Sequence, residues 1–211
     1  MTRLVVLKAA VWMLLAAPFV YLSSQIYFEL QAPGEVLGAD PGEAVVHFLG
    51  EWALISLLVA FSVSPLRRLC LAGELTKENL GLLFARSRRL FGLFAFFYVT
   101  LHLFAYVFFF LELSLKQFLQ DLVERSYITA GMGAFVILLA MAFTSTKGWQ
   151  LRLKHRWAAL HKLVYAAVGL AIIHLWWLTR DDFTEVVLYA AWFGLLLLFR
   201  LRVPARLHGS T

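Results

Sequence analysis

Six runs of about 20 predominantly apolar residues, the length an α-helix needs to cross a bilayer core, take up most of this 211-residue chain. They are residues 9–28, 44–66, 90–111, 127–146, 158–178 and 183–201. Only 15% of the residues are charged and 62% are hydrophobic, whereas a soluble protein carries about a quarter charged residues. The connections are short and leave almost no soluble domain. The expected fold is therefore an all-α polytopic membrane protein, a single domain over 1–211 with six transmembrane helices.

Arg3 and Lys8 precede an apolar stretch containing LLAAP, which resembles a secretory signal. The run continues to Phe28, however, and a cleavable apolar segment is only about 7 to 15 residues long, so a retained first helix is expected. The single cysteine, Cys70, excludes an intramolecular disulfide and a thiolate pair for an iron–sulfur or zinc site. The net charge of +6 does not point to nucleic acid, because its distribution follows the helices. Sixteen of the nineteen Lys and Arg residues fall on one side of the six-helix threading, and only Lys116, Arg125 and Arg180 fall on the other. The positive-inside rule then makes both termini cytoplasmic. Glu29, Glu35, Asp40, Glu43, Glu112, Asp121, Glu124, Asp181, Asp182 and Glu185 give the opposite loops an acidic outer face.

The first outer loop, QAPGEVLGADPGE, has the composition of a turn-rich connector. The longest inner loop is expected over 67–89, where LTKENLGLLFARSRR can form a short interfacial helix. AGMGA in the fourth run and AAVGLA in the fifth let backbones or flat ligands approach closely. No internal repeat of fixed period, phosphate loop, dinucleotide fingerprint or zinc-protease motif is present, and too little chain follows the sixth run for a nucleotide-binding domain.

Ionisable or ligating side chains inside a membrane are costly and therefore candidate functional groups. The third and fifth runs both lead outward from the cytoplasm. His102 lies thirteen residues past Arg89, and His174 fourteen past Leu160. At about 1.5 Å per residue both stand roughly 20 Å above the inner boundary, so the two imidazoles can face each other in the outer half of the bilayer. Two such ligands among aromatics, with no carboxylate or thiolate nearby, suit axial ligation of a haem iron. Ala167 and Ala171 beside His174, and Ala95 and Ala105 beside His102, leave room for a flat macrocycle. With both axial positions filled, such a centre carries electrons and has no open site for substrate. The competing reading is that each histidine hydrogen-bonds a neighbouring helix and the small residues serve packing.

His161 shares the fifth run, but thirteen residues at about 100° each put it roughly 140° around the helix from His174. Arg88 or Arg89 stands at its level on the third run, so a second haem or redox site there lacks an evident partner. His155 is read as solvated among cations and His208 as bland. His47 and Glu51 form an i, i+4 pair, either an interfacial hydrogen bond or a proton-handling pair beside a redox site. Arg86, Arg88 and Arg89 set topology and can also hold a propionate or a flavin phosphate, while Arg125 and Arg180 can neutralise haem propionates on the outer side.

LGADPGEAVVHFLGEWAL, SPLRR, RSRRLFGLFAFFYVTLHL, LAMAFTST and HRWAALHKLVYAAVGLAIIH together resemble the MsrQ (YedZ) family. Its members are haem-binding membrane subunits of the bacterial protein-methionine-sulfoxide reductase system, within the ferric-reductase-like transmembrane group. The resemblance spans about residues 36–180. It implies b-type haem and FMN in the inner membrane. Electrons would pass from the quinone pool or a cytosolic flavin reductase to a periplasmic molybdopterin enzyme, MsrP, that repairs oxidised methionine. His102 and His174 fall at the group's outer haem ligands and His161 at the inner ligand of the fifth helix. Arg88 replaces the inner histidine of the third helix found in the related oxidases, and FMN rests on the resemblance alone. A transmembrane ferric reductase is the nearer alternative, and a cofactor-free small transporter or proton channel using His47, Glu51, His102 and His174 the more distant one.

Overall fold

The computed structural model describes residues 2–72 and 77–202. These form nine helices: α1 (Thr2–Gln31), α2 (Pro41–Ala72), α3 (Lys77–Phe109), α4 (Leu115–Glu124), α5 (Ser126–Phe143), α6 (Lys147–Leu153), α7 (His155–Lys162), α8 (Val164–Leu178) and α9 (Thr184–Arg202). No strand occurs among the described residues. Five segments are long and apolar enough to cross a membrane: Ala9–Gln31, Pro41–Leu66, Ser87–Phe109, Ser126–Phe143 and His155–Leu178. They match the first five expected runs; α9 overlaps the sixth and is not among these five segments.

The helices pack mainly as two pairs, α2 on α3 and α5 on α8, and the pairs meet through α3 with α5 and α2 with α8. One core cluster joins Leu54, Leu57, Leu58 and Phe61 of α2 to Ala95 of α3, Leu138 of α5 and Val164, Ala167 and Val168 of α8. Tyr189, Trp192, Phe193, Leu196 and Leu197 lay α9 against this cluster. A second cluster joins Leu15 and Leu22 of α1 to Val45, Leu49 and Ala53 of α2 and Phe94, Tyr98 and Ala105 of α3. The wholly buried Tyr98 satisfies its hydroxyl by donating to the carbonyl of Leu15 at 2.6 Å. In a dry interior that bond avoids the desolvation cost of an unpaired hydroxyl.

Proline shapes α2. Pro65 lies inside the helix and has no N–H, so the carbonyl of Phe61, four residues earlier, loses its helical donor. Inside a membrane such a group must find another partner. Arg200 of α9 supplies it, donating Nη2–H to the Phe61 carbonyl at 2.7 Å and Nη1–H to the Tyr165 hydroxyl at 2.6 Å. The guanidinium also lies 3.8 Å over the Phe61 ring, a cation–π contact.

Several expectations need correction. The inner connection is shorter than 67–89, because α2 continues to Ala72 and α3 begins at Lys77. No separate interfacial helix forms from Lys77 onward, since those residues join the apolar third run without a break. The fifth run is divided at Leu163, whose N–H bonds Leu160 at 3.0 Å, an i→i−3 turn that tightens the chain between α7 and α8. The connection after the third run contains α4. Ser114 caps it by accepting from the Gln117 amide at 3.3 Å, and Leu115, Leu119 and Val123 present an exposed apolar stripe at i, i+4 spacing.

Two acidic residues assigned to the outer face are buried. Glu29 accepts from the amides of Gly34, Val36 and Leu37 and so organises the first outer loop. Its glycines take the left-handed conformation at Gly34 (φ 85°) and Gly38 (φ 81°), which costs glycine little. Asp121 accepts from the Tyr106 hydroxyl and pairs with Arg125 at 3.0 Å.

Candidate functional site

His102 on α3 and His174 on α8 come together between the two helix pairs. Their ring centroids are 6.1 Å apart and their planes cross at 89°. The Nδ1 of His102 lies 2.9 Å from the carbonyl of Val46 on α2, and the Nδ1 of His174 lies 2.7 Å from the carbonyl of Tyr127 on α5. A carbonyl cannot donate, so each Nδ1 carries the proton and each Nε2 keeps its lone pair. That is the arrangement of a metal-ligating histidine whose second nitrogen is held by a backbone carbonyl. A metal–imidazole bond of about 2.0 Å on each side, with about 1.15 Å from nitrogen to ring centre, sets centroids about 6.3 Å apart across one ion. The observed separation fits that requirement.

The small residues flanking the pair differ in their surroundings. Ala95 and Ala167 are wholly buried and belong to the core cluster, so they pack the bundle one level further in. Ala105 is buried and Ala171 partly so. The two lie three residues from their histidines, nearest in depth to the pair.

His161 lies apart from the pair, on α7. Its ring stacks on Trp157, with centroids 4.0 Å apart, and its Nδ1 lies 3.1 Å from the Trp157 carbonyl of its own helix. Trp157 in turn donates its indole N–H to the Thr144 carbonyl at 2.9 Å. The ring stacked on His161 is thus that of Trp157, not a histidine. Arg88 and Arg89 are exposed in the first half of α3, and His155 is exposed where α7 begins; the side chain of Arg86 and all of His208 lie outside the described residues.

At the end of α4, Arg125 reaches Asp121 and donates to the Tyr127 hydroxyl at 3.1 Å. The Tyr127 bond, and then Asp121, push this guanidinium further toward its charged form. Because Tyr127 also supplies the carbonyl under His174, Arg125 is the cation tied to the site; Arg180 is exposed beyond α8. His47 and Glu51 do not pair with each other. His47 Nε2 lies 3.8 Å from Glu185, and Glu51 accepts from the Tyr189 hydroxyl at 2.9 Å. Both partners come from α9, whose packing on α2 outcompetes the intrahelical i, i+4 contact.

Sequence reasoning missed the residues on which the imidazoles rest, Val46, Gly50 and Tyr127, and noted Gly131 only as a small residue. Their signal was a glycine in the interior of an apolar helix at histidine depth, where glycine is a poor helix former.

Residues 49–172 match the family described as Ferric reductase like transmembrane component. The chain is 40% identical over 201 residues to the protein-methionine-sulfoxide reductase heme-binding subunit MsrQ of Xanthomonas campestris pv. campestris (strain 8004), an alignment covering 94% of this chain and 88% of that protein. The MsrQ of Rhodospirillum rubrum (strain ATCC 11170) is 42% identical over 188 residues, covering 85% and 82%. That of Xanthomonas oryzae pv. oryzae (strain MAFF 311018) is 38% identical over 199 residues, covering 94% and 87%. With several apolar helices of membrane-crossing length, a family match over more than half its length and these relatives over nearly all of it, the chain belongs to the MsrQ family of ferric-reductase-like membrane proteins.

Proposed function

We propose that the protein is the haem-binding, electron-relaying membrane subunit of a periplasmic protein-methionine-sulfoxide reductase, with His102 and His174 as the axial ligands of one b-type haem. The observation that carries this reading is the facing imidazole pair, 6.1 Å apart with both Nδ1 atoms held by backbone carbonyls. The relatives' names add the chemistry of the bound group and the system it serves. The haem, when bound, supplies one-electron transfer. The protein's own residues hold it: α3 and α8 present the ligands, and α2 and α5 fix their tautomers. Arg125 is the cation placed to face propionates on the outer side.

Six spans with both termini in the cytoplasm follow from the basic residues gathered on one side. The membrane is then the bacterial inner membrane, and the haem lies near the outer face, where the molybdopterin partner MsrP docks. The donor is the quinone pool or a cytosolic flavin reductase. Arg88 and Arg89, exposed at the inner end, offer cations to an FMN phosphate, and His161 is the residue of that level for a second redox group.

The test is an absorbance spectrum with a haem-to-protein ratio. Purified wild type shows a low-spin b-type spectrum, His102→Ala or His174→Ala abolishes it, and His161→Ala keeps it. An unchanged spectrum in both variants of the pair would sink the assignment, and a halved haem content in His161→Ala would replace one haem by two. The family description also fits a transmembrane ferric reductase; reduction of iron chelates, with no delivery to a methionine-sulfoxide reductase, would favour it.

A further inference from the structure

We propose that Gly50 and Gly131 are positioning residues. Each forms, with the carbonyl four residues before it, a seat that fixes the orientation and tautomer of one imidazole of the pair. The two seats have one design on two helices. In α2 the carbonyl is that of Val46 and the glycine is Gly50; in α5 the carbonyl is that of Tyr127 and the glycine is Gly131.

The physical reason lies in helix geometry. A helical carbonyl at position i already accepts the N–H of residue i+4, and its second lone pair can take one further donor. Approach to that lone pair passes over residue i+4, whose Cβ stands in the way. A Cβ built on Gly50 would lie 2.9 Å from His102 Nδ1, and one on Gly131 would lie 2.8 Å from His174 Nδ1. Among the described glycines these are the two where an added Cβ comes closer than 3.0 Å to another residue. The obstructed atom in both cases is the nitrogen that donates to the carbonyl. By contrast, a Cβ on Gly92, Gly169 or Gly194 meets nothing within 4 Å. The glycines are thus matched to the imidazoles, beyond any general need for close helix packing. The seats hold the ring planes crossed at 89°, an orientation that the rings' Cα–Cβ tethers alone would not fix.

The inference rests on the haem reading, and the experiment separates the two. Gly50→Ala, Gly131→Ala and the control Gly194→Ala are purified beside wild type, His102→Ala and His174→Ala. Helix content is followed by circular dichroism, and haem by content, absorbance and electron paramagnetic resonance. The expected result is native helix content in all variants, with haem affinity weakened about 10- to 100-fold in the two seat variants, the usual effect of losing a ligand's supporting partner, and no change in Gly194→Ala. Unchanged haem content and spectrum in both seat variants, with loss in the histidine variants, overturns the seats alone. A wild type without haem overturns both readings. The wild type supplies a measurement that does not depend on how the variants fold. Crossed imidazole planes give ferric haem a highly anisotropic low-spin signal, whereas the rhombic signal of parallel planes would show that the seats do not hold the rings.

Discussion

Arg200→Met tests whether a proline in α2 is answered by an arginine in α9. The substitution removes a charged donor from the Phe61 carbonyl at 2.7 Å and from the Tyr165 hydroxyl at 2.6 Å. A hydrogen bond from a charged group contributes about 1.5–3 kcal/mol, while neutral bonds between membrane helices average about 0.6 kcal/mol. Phe61 is 1% exposed, so water cannot replace the lost donor at its carbonyl, and the higher figure applies to that bond. Tyr165 is 37% exposed, so losing the donor to its hydroxyl adds little. The expected loss is about 2 kcal/mol, measured by reversible unfolding in mixed detergent micelles. Pro65→Ala restores the helical N–H four residues after Phe61 and gives that carbonyl a donor of its own. In the Arg200→Met background it should recover about 1 kcal/mol or more, whereas in wild type it is close to neutral because Arg200 already fills the carbonyl. A double-mutant cycle with no coupling would refute the reasoning, since it would show that the missing Pro65 donor is not what Arg200 replaces.

Glu29→Ala should expose the amides of Val36 and Leu37, now bonded to the carboxylate at 3.0 and 2.8 Å. A charge-assisted bond of about 1.5–3 kcal/mol corresponds to roughly 10- to 100-fold faster hydrogen exchange at those amides, and unchanged exchange would refute the loop's dependence on Glu29. Asp182 accepts from the Thr184 amide at 2.8 Å, and its hydrogen bonds to Thr184, side chain and backbone, hold its carboxyl below the ordinary aspartate value. A folded pKa below the unfolded one means that the cap is intact at neutral pH and is lost as pH falls through the folded value. The Thr184 amide resonance should therefore titrate with a midpoint below that of an unstructured aspartyl peptide and stay flat in Asp182→Asn. A midpoint at or above the peptide's would count against the cap.

The meeting of His102 and His174 was legible because it depends on counting. Two helices running the same way rise equally per residue, so nearly equal distances from Arg89 and Leu160 give nearly equal depth. The apolar runs were legible for a similar reason, since membrane thickness fixes their length. What escaped was set by backbone rather than side chains. The carbonyls of Val46 and Tyr127 leave no side-chain signature, and VHFLG and YITAG share only their glycine, so the repeated seat is invisible as a sequence repeat. Glu29 and Asp121 were read as surface acids because charge usually marks solvent. Three amides enclose the first and a tyrosine hydroxyl the second, and neither partner can be located before the fold is known. α4 did carry a signal, Ser114 three residues before Gln117 at the head of an amphipathic stretch, masked by the apolar residues that run into it from the third segment.

The separation of His47 and Glu51 follows from the same turn of α2 that holds His102. Neighbouring helical positions are rotated by about 100°, so when Val46 and Gly50 face α3, His47 and Glu51 cannot. They meet α9 instead, through Glu185 and Tyr189. One turn of α2 therefore joins the imidazole on one side to a polar contact with the last helix on the other, at a single depth. Apolar packing sets the distance between α2 and α9 along the inner core cluster. Hydrophobic contacts alone tolerate sliding and rotation, because they are not directional. A hydroxyl–carboxylate hydrogen bond has a narrow geometry, so the Glu51–Tyr189 bond adds a directional contact to the α2–α3 packing that sets the rotation of α2. That rotation is the variable that decides whether the Val46 carbonyl and Gly50 present themselves to His102.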